Sequence, residues 1–528
     1  MKKIYFSLLL ALFSQLIFAQ YFTSFGYDSL NINNWNVRIS ASNSIFWDLM
    51  GKAKAEIPQG SGISSIFAGN FWIGGYDDLN ELHVSADRFY SQGNCFTPGP
   101  YATTYDSIFY VKYNRVWKVL KTDIDYHAIH WNDVVYTMPE VIENWPGNGN
   151  TSNGEAGILA PFTDYNSNGI YDPQNGDYPY IIGDQAIYYI LNDKATIDTS
   201  LHSPPMELEI HVMAFAFQDT GVINNTFFMH FDIINYSPNT YHNVIWGINT
   251  DIDIGNSFDD FIGCDTTQNI YFAYNGDSND EYSVYDSING YGTYPPALGV
   301  LFLTHTMKSF MTFNNSGGVM GDPALGTEYY NYMKSCWKDS SHLVHHGNGY
   351  DPSSTDTCNF AFPEYSNWTE ITEGNTPYDR RGVSSISLGN ITVNNCFTAD
   401  VAYVWARDLT NPDPHSSVDL LLSQIPDVVL FANQLPIDSN CTYLSAHSPD
   451  QTSSLFNYFD IFPNPATETV TIRTRLKDYK IVLFSQLGQI LFEKQNATII
   501  DIKGLKSGIY MIQISDGSIL DQRKLIVE

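Results

Sequence analysis

Positive charge is scarce in this chain. It carries 26 Lys+Arg against 57 Asp+Glu, a formal net charge of −31 at pH 7 over 528 residues. From Ala195 to Met307 there is no Lys or Arg among 113 residues, yet that stretch holds 14 acids. A body of this charge does not bind nucleic acid or an anionic surface by electrostatics. The six cysteines form no CxxC pair and no zinc-like spacing. There is no GxSxG elbow, no GxxxxGK[ST] loop and no GxGxxG turn, so the hydrolase-elbow, P-loop and dinucleotide readings have no support. An enzyme is not thereby excluded, because glycosidase and lyase sites leave little local signature. Long apolar runs are missing too. The longest, the 15 residues Ile4–Phe18, falls short of the roughly 20 that a membrane-spanning helix needs.

Aromatic residues are plentiful, at 15% of the chain with 36 Tyr and 32 Phe. Asn, Gly, Thr and Ser separate the apolar runs, a profile that favours strands joined by turns. Glu207 to Phe217, Thr226 to Asn235, Tyr241 to Ile248 and Asn269 to Tyr274 read as successive strands, with His211, Met213 and Phe215 alternating against Val212, Ala214 and Ala216. The fold class expected is mainly β: a large antiparallel sandwich or jelly-roll-like body with few short helices, followed by a small C-terminal β-sandwich. Ser417 to Ile425 is the best helix, ended by Pro426, and Val116 to Trp131 is a second candidate.

The expected organisation is a signal peptide over 1–19, an N-terminal β-rich subdomain over 20–150 and a main body over 151–447. A linker over 448–457 then leads to a tail over 458–528. Met1-Lys2-Lys3 ahead of the apolar run, with Ala19 at its end, has the form of a secretory leader. The six cysteines, Cys95, Cys264, Cys336, Cys358, Cys396 and Cys441, suit disulfides in an exported protein; Cys336–Cys358 and Cys396–Cys441 are the expected pairs, with free buried cysteines the other reading. The tail stands apart electrically. From Tyr458 onward 9 Lys+Arg face 8 Asp+Glu, net +1, while the residues before it hold 17 against 49, net −32.

Within the tail, Val470 with Ile472, Ile490 with Phe492, and Tyr510 with Ile512 and Ile514 alternate with polar neighbours, and Asp516-Gly517 is a hairpin signal. FPNP at Phe462–Pro465, the turn at Gly488 and L-x-x-GIY at Leu505–Tyr510 come in that order before a terminal basic-aliphatic strand. Together these resemble the type A C-terminal sorting domain of bacterial type IX secretion substrates. The resemblance implies export through the periplasm to the outer surface or beyond, with the type IX machinery as partner and the tail removed at or after the outer membrane. Further stretches are similar to a recurring secreted architecture without an assigned activity. They are FWIGG (Phe71–Gly75), ENWPGNG (Glu143–Gly149), APFTDYNSNGIYDPQNGDYP (Ala160–Pro179), DIDIGNSFDDFIGCDT (Asp251–Thr266), YGTYPPALG (Tyr291–Gly299), DRRGVSS (Asp379–Ser385) and VWARD (Val404–Asp408).

Two acidic groups are candidate metal sites. Calcium takes about six to eight hard oxygens, which a short loop supplies by alternating side chains around a glycine turn. Asp164, Asn166 and Asn168 stand at the first, third and fifth places of such a loop, ahead of Gly169. Ile170 would offer its carbonyl, Asp172 the ninth place and Asp177 a further carboxylate. No helices flank the loop and Asn175 replaces the bidentate Glu of an EF-hand, so an Asx-rich turn without an ion is the competing reading. The second group is Asp251, Asp253, Asp259, Asp260 and Asp265. Asp251 and Asp253 share a face if extended, and the turn Gly255-Asn256-Ser257 could bring Asp259 or Asp260 back to them. A second calcium, plain solvated charge, and an acid/base pair with carboxyls roughly 5–9.5 Å apart are the three readings. No base lies within the local stretch to neutralise this group, so the partner is a cation or a basic residue from elsewhere in the fold. The histidine sets His342, His345, His346 and His127, His130 lack an HExxH glutamate and read as ordinary surface or packed residues.

The expected function is that of a secreted or cell-surface, calcium-stabilised protein with a non-catalytic binding or adhesion role towards an extracellular polymer or glycan. A glycan-active hydrolase or lyase is the other expectation.

Overall fold

The structure, a computed structural model, describes residues 25–48, 50–87, 95–196, 198–284, 288–437, 441, 444–447, 459–474, 478–485, 489–515 and 520–527. The expected signal peptide, the linker, Gly488 and Asp516-Gly517 lie outside these residues.

Alternating apolar residues build two large antiparallel sheets. One has nine strands, running in space Asp260–Asp265, Ile270–Asn275, Ala297–Phe302, Cys396–Ala406, Thr226–Asn235, Leu208–Ala216, Gln185–Asn192 and Thr97–Pro98, with Trp117–Leu120 also paired to Gln185–Asn192. The other has five, in the order Ser309–Phe313, Arg381–Ile391, Tyr241–Asp251, Ala68–Tyr76 and Leu82–Ala86. Their inner faces meet through aromatic rings: Phe71 and Phe231 lie 5.6 Å apart, and Phe231 and Trp246 5.2 Å. The body is thus the mainly β, sandwich-like fold expected.

Strand Leu208–Ala216 is buried along its whole length. Ile210, Val212 and Ala214 enter the core between the sheets. On the opposite face Phe215 stacks on Phe228 at 5.2 Å, and Phe228 meets Phe431 at 6.2 Å. Phe431 belongs to helix Pro414–Ala432, which packs on the nine-stranded sheet. That helix corrects the expected break at Pro426, which lies inside it. Proline removes one main-chain hydrogen bond, but Val418, Leu421, Leu422, Ile425 and Val428 keep one buried stripe against the sheet, and that burial holds the helix together. The second helix candidate is shorter than expected: Trp117–Leu120 is a strand, and only Lys121–His130 is helical.

The chain divides into two compact units, Met1–Ala446 and His447–Glu528. The expected boundary near residue 150 does not separate units, because both sheets draw strands from either side of it. Cys396 and Cys441 are disulfide-bonded, with Cα atoms 6.1 Å apart; Cys336 and Cys358 are free, correcting that pairing. The C-terminal unit has a three-stranded sheet, Phe459–Phe462, Thr469–Thr474 and Ile499–Asp501. A four-stranded sheet runs Ile490–Gln495, Lys480–Ser485, Gly508–Ser515 and Leu520–Val527. Its own core includes Val470, Ile472, Ile481, Leu483, Ile500, Ile512 and Leu525.

Candidate functional site

The strand Tyr241–Asp251 explains how charge reaches the outer face of the five-stranded sheet. Side chains alternate along a strand, so Ile248 points to the inter-sheet core while Asn249 and Asp251 point away. The register sets Asp251 directly opposite Arg381, and Arg381 opposite Phe313 on the edge strand. The basic partner missing from the local sequence therefore arrives from 130 positions downstream, in the DRRGVSS stretch.

Arg381 is almost fully buried. Its Nε lies 3.3 Å from Asp251 Oδ2, its Nη2 3.9 Å from Asp379 Oδ2, and its Nη1 donates to Asp322 Oδ1. Burial works against the guanidinium charge, but the surrounding carboxylates outweigh it and raise the Arg381 pKa. Asp251, 2% exposed, has its carboxyl pushed up to about 7 by burial, which Arg381 opposes and Asp379 and Asp322 reinforce. Its Oδ1 accepts no hydrogen bond. Carboxylate oxygens of Asp251, Asp253 and Asp379 lie within 4.8 Å of one another. A cavity of about 780 Å³ opens over this group, lined also by Lys52, Lys54, Phe67 and Phe258.

Of the expected second acidic group, the fold thus brings together Asp251 and Asp253 and adds Asp379. Gly255 takes φ +64°, and a Cβ there would collide with the Asp280 carboxylate. Asp260 then accepts the Ile254 N–H at 2.9 Å. Its pKa is raised well above the usual value by burial, with the charges of Asp259 and Asp253 adding. Asp259 faces Asp280, and burial pushes each to about 7. Asp265 caps its own turn, accepting from Thr267 N at 2.8 Å and Gln268 N at 3.2 Å. Two other acids of the stretch without Lys or Arg use histidines: Glu209 lies 2.6 Å from His211, and Asp232 lies 3.3 Å from His230, which also meets Asp400 at 2.7 Å.

The first acidic loop closes on itself. Asp164 accepts from Asn168 N at 3.1 Å and Gly169 N at 2.7 Å, and Gly169 takes φ +75°. Asn168 Oδ1 accepts from Ile170 N at 2.7 Å. The amides of Asn166 and Asn168 each donate to Asp172 at 3.0 Å. Asp177 accepts from Tyr165 N and Asp172 N, both at 2.8 Å, which ties the ends of the loop. Burial raises the Asp177 carboxyl to about 7. The six expected residues are therefore neighbours, joined by Asx-type bonds.

The expected histidine sets are tied to local side chains. His127 Nδ1 lies 2.8 Å from Tyr136 Oη, His130 2.7 Å from Asp133, His345 3.1 Å from Asp356 and His346 3.6 Å from Asp351.

Sequence reasoning missed Asp322, Asp379 and Arg381 as site residues. The one signal was an Asp-Arg-Arg run ahead of an alternating strand in a chain otherwise poor in base.

The C-terminal unit places the protein in a class, that of proteins exported under a C-terminal address. Residues 460–528 match the secretion system C-terminal sorting domain, and the chain is a type IX secretion substrate bound for the cell surface or the medium. Among the described residues no helix is long and apolar enough to cross a membrane. No curated protein matches the chain. A solved polysaccharide lyase aligns at 7% identity with a TM-score of 0.19, over 65% of this chain and 35% of the lyase's own length.

Proposed function

We propose that this exported protein binds an extracellular glycan without turning it over, in the cavity above Asp251 and Arg381, and that calcium stiffens its body. The cavity carries the reading. Its volume of about 780 Å³ lies in the range of small-ligand sites, about 300–1,000 Å³. Its lining pairs fixed carboxylates with Arg381, Lys52 and Lys54 and adds two phenylalanine rings. Sugar hydroxyls both donate and accept, and such a mixed array answers both roles. Arg381 is occupied by three carboxylates, which favours a rigid recognition surface. Calcium belongs at the Asp164–Asp177 loop, with Asp164, Asn166, Asn168, Asp172, Asp177 and the Ile170 carbonyl as the oxygen donors. An adhesive role at the surface follows from export and glycan binding together.

One observation favours a glycan hydrolase or lyase instead. Asp251 has a carboxyl raised to about 7 beside the carboxyl of Asp253, and a protonated acid next to a second carboxyl is the pairing that glycoside hydrolysis uses. A glycan array and a polysaccharide hydrolysis screen on the purified exported protein, in calcium, separate the two. Retention without cleavage supports binding; cleavage abolished by Asp253→Asn overturns it.

A further inference from the structure

A second cavity, of about 470 Å³, lies on the same outer face of the five-stranded sheet and shares Asp322 and Arg381 with the first. Register fixes why. Trp72 pairs with Gly247, two residues before Asn249 and four before Asp251, so all these positions face the same way. Helix Gly326–Tyr332 covers part of that face, with the Tyr329 ring edge-on to Trp72 at 4.8 Å.

Three polar atoms at this cavity are buried and lack a hydrogen-bond partner: Trp72 Nε1, Asn249 Oδ1 and Asp87 Oδ2. Their residues are 2%, 3% and 1% exposed. Elsewhere these side chains are engaged: Asn249 Nδ2 donates to Asn70 Oδ1 at 3.1 Å, and Asp87 Oδ1 accepts from Cys95 N at 3.0 Å. What remains is one donor and two acceptors, beside the rings of Trp72, Phe313 and Tyr329. Buried polar groups in native proteins are paired, and an orphan at a cavity calls for a partner from outside the chain. A ligand that suits this set must give at least two O–H or N–H donors and one acceptor, and also an apolar face. The two bases of the lining are already engaged, Arg381 by three carboxylates and Lys338 by the Asp322 carbonyl at 2.8 Å, so neither is left open to an anion. A fatty chain would leave all three atoms unpaired.

Resting on the glycan reading of the neighbouring cavity, we propose that the pocket of Trp72, Asp87, Asn249 and Tyr329 holds a single neutral pyranose unit, a subsite for one residue of the chain that crosses Arg381. Hydroxyls of the ring donate to Asn249 Oδ1 and Asp87 Oδ2, a ring or hydroxyl oxygen accepts from Trp72 Nε1–H, and the C–H face lies on the aromatic wall.

The test is calorimetric titration of the full exported protein with neutral gluco-, manno-, galacto- and xylo-oligosaccharides. Trp72→Phe removes the N–H and keeps a ring. Asp87→Asn keeps the acceptor for Cys95 N–H and replaces the orphan acceptor by a donor, which guards against misfolding of the tryptophan variant. Each is expected to weaken binding about tenfold, the worth of one net hydrogen bond; the melting temperature should hold in Asp87→Asn and fall in Trp72→Phe, which leaves a void in the core. If both variants bind like the wild type while Asp253→Asn loses binding, the subsite is overturned and the larger cavity stands. If no oligosaccharide binds the wild type, both the subsite and the glycan reading of the neighbouring cavity fall.

Discussion

Asp251 and Arg381 are cross-strand partners, directly opposite in register, and both are buried on the outer face of their sheet. Removing one member of such a pair strands the other without its charge partner. Arg381→Met should cost about 3–5 kcal/mol, because Asp251 and Asp379 would then face each other with no guanidinium between them. The cost should be larger at pH 8 than at pH 5, where protonation relieves the carboxylates. Chemical denaturation at the two pH values reads both statements, and an equal loss at both would contradict this account of the pair.

The Asp259–Asp280 pair and Asp260 contribute to the pH dependence, in the same direction as Asp251 and Asp177. Asp259 and Asp280 titrate near 7 in the fold against a reference of 3.8, and Asp260 is raised well above it, all through burial first. Between those values the folded chain binds more protons than the unfolded one, so stability falls as pH rises. His230 acts in the same direction: burial opposes its charge, but Asp232 and Asp400 raise it well above 6.5. Melting in chelator should be highest near pH 4–5 and decline towards pH 8. A melting temperature that climbs across this window would refute it.

Calcium should offset part of that decline. An ion that binds only the folded state adds about 2.7 kcal/mol at a hundredfold excess over Kd. Asp164→Ala removes the carboxylate that holds Asn168 N and Gly169 N and should abolish most of the gain. Coincident melting curves of the wild type in millimolar calcium and in chelator would reduce the loop to an Asx-rich turn.

Asp253→Asn separates the two functional readings. It should lower glycan retention without creating or removing any hydrolysis. Reducing-sugar release by the wild type that vanishes in the variant, at unchanged melting, would make the protein an enzyme.

Truncation after Asn457 should leave a folded body confined to the periplasm. The core of the first unit and the core around Val470, Ile481 and Ile512 are made of separate residues, and the sorting family match is confined to 460–528. Cell fractionation with immunoblotting checks this, and truncated protein outside the cell at wild-type levels would overturn it.

Much was legible before folding. Alternation in Thr226–Asn235 and its neighbours announced strands, since a period of two is a local property of the chain. FPNP, Leu505 and the GIY that follows announced the tail, because each motif of that address is a short contiguous run. The Asp164–Asp177 loop was also contiguous, and its six residues stayed together. What no local pattern could supply was pairing between distant strands. Register decided that Asp251 meets Arg381, that Asp379 joins it while Asp265 stays in its own turn, and that Trp72 and Asn249 look into one cavity. It also overruled Pro426, whose local cost is smaller than the burial of the helix face against the sheet. The sequence determined the class of fold and the destination. Only the tertiary structure decided where the charges converge, because that convergence depends on which strands are hydrogen-bonded neighbours.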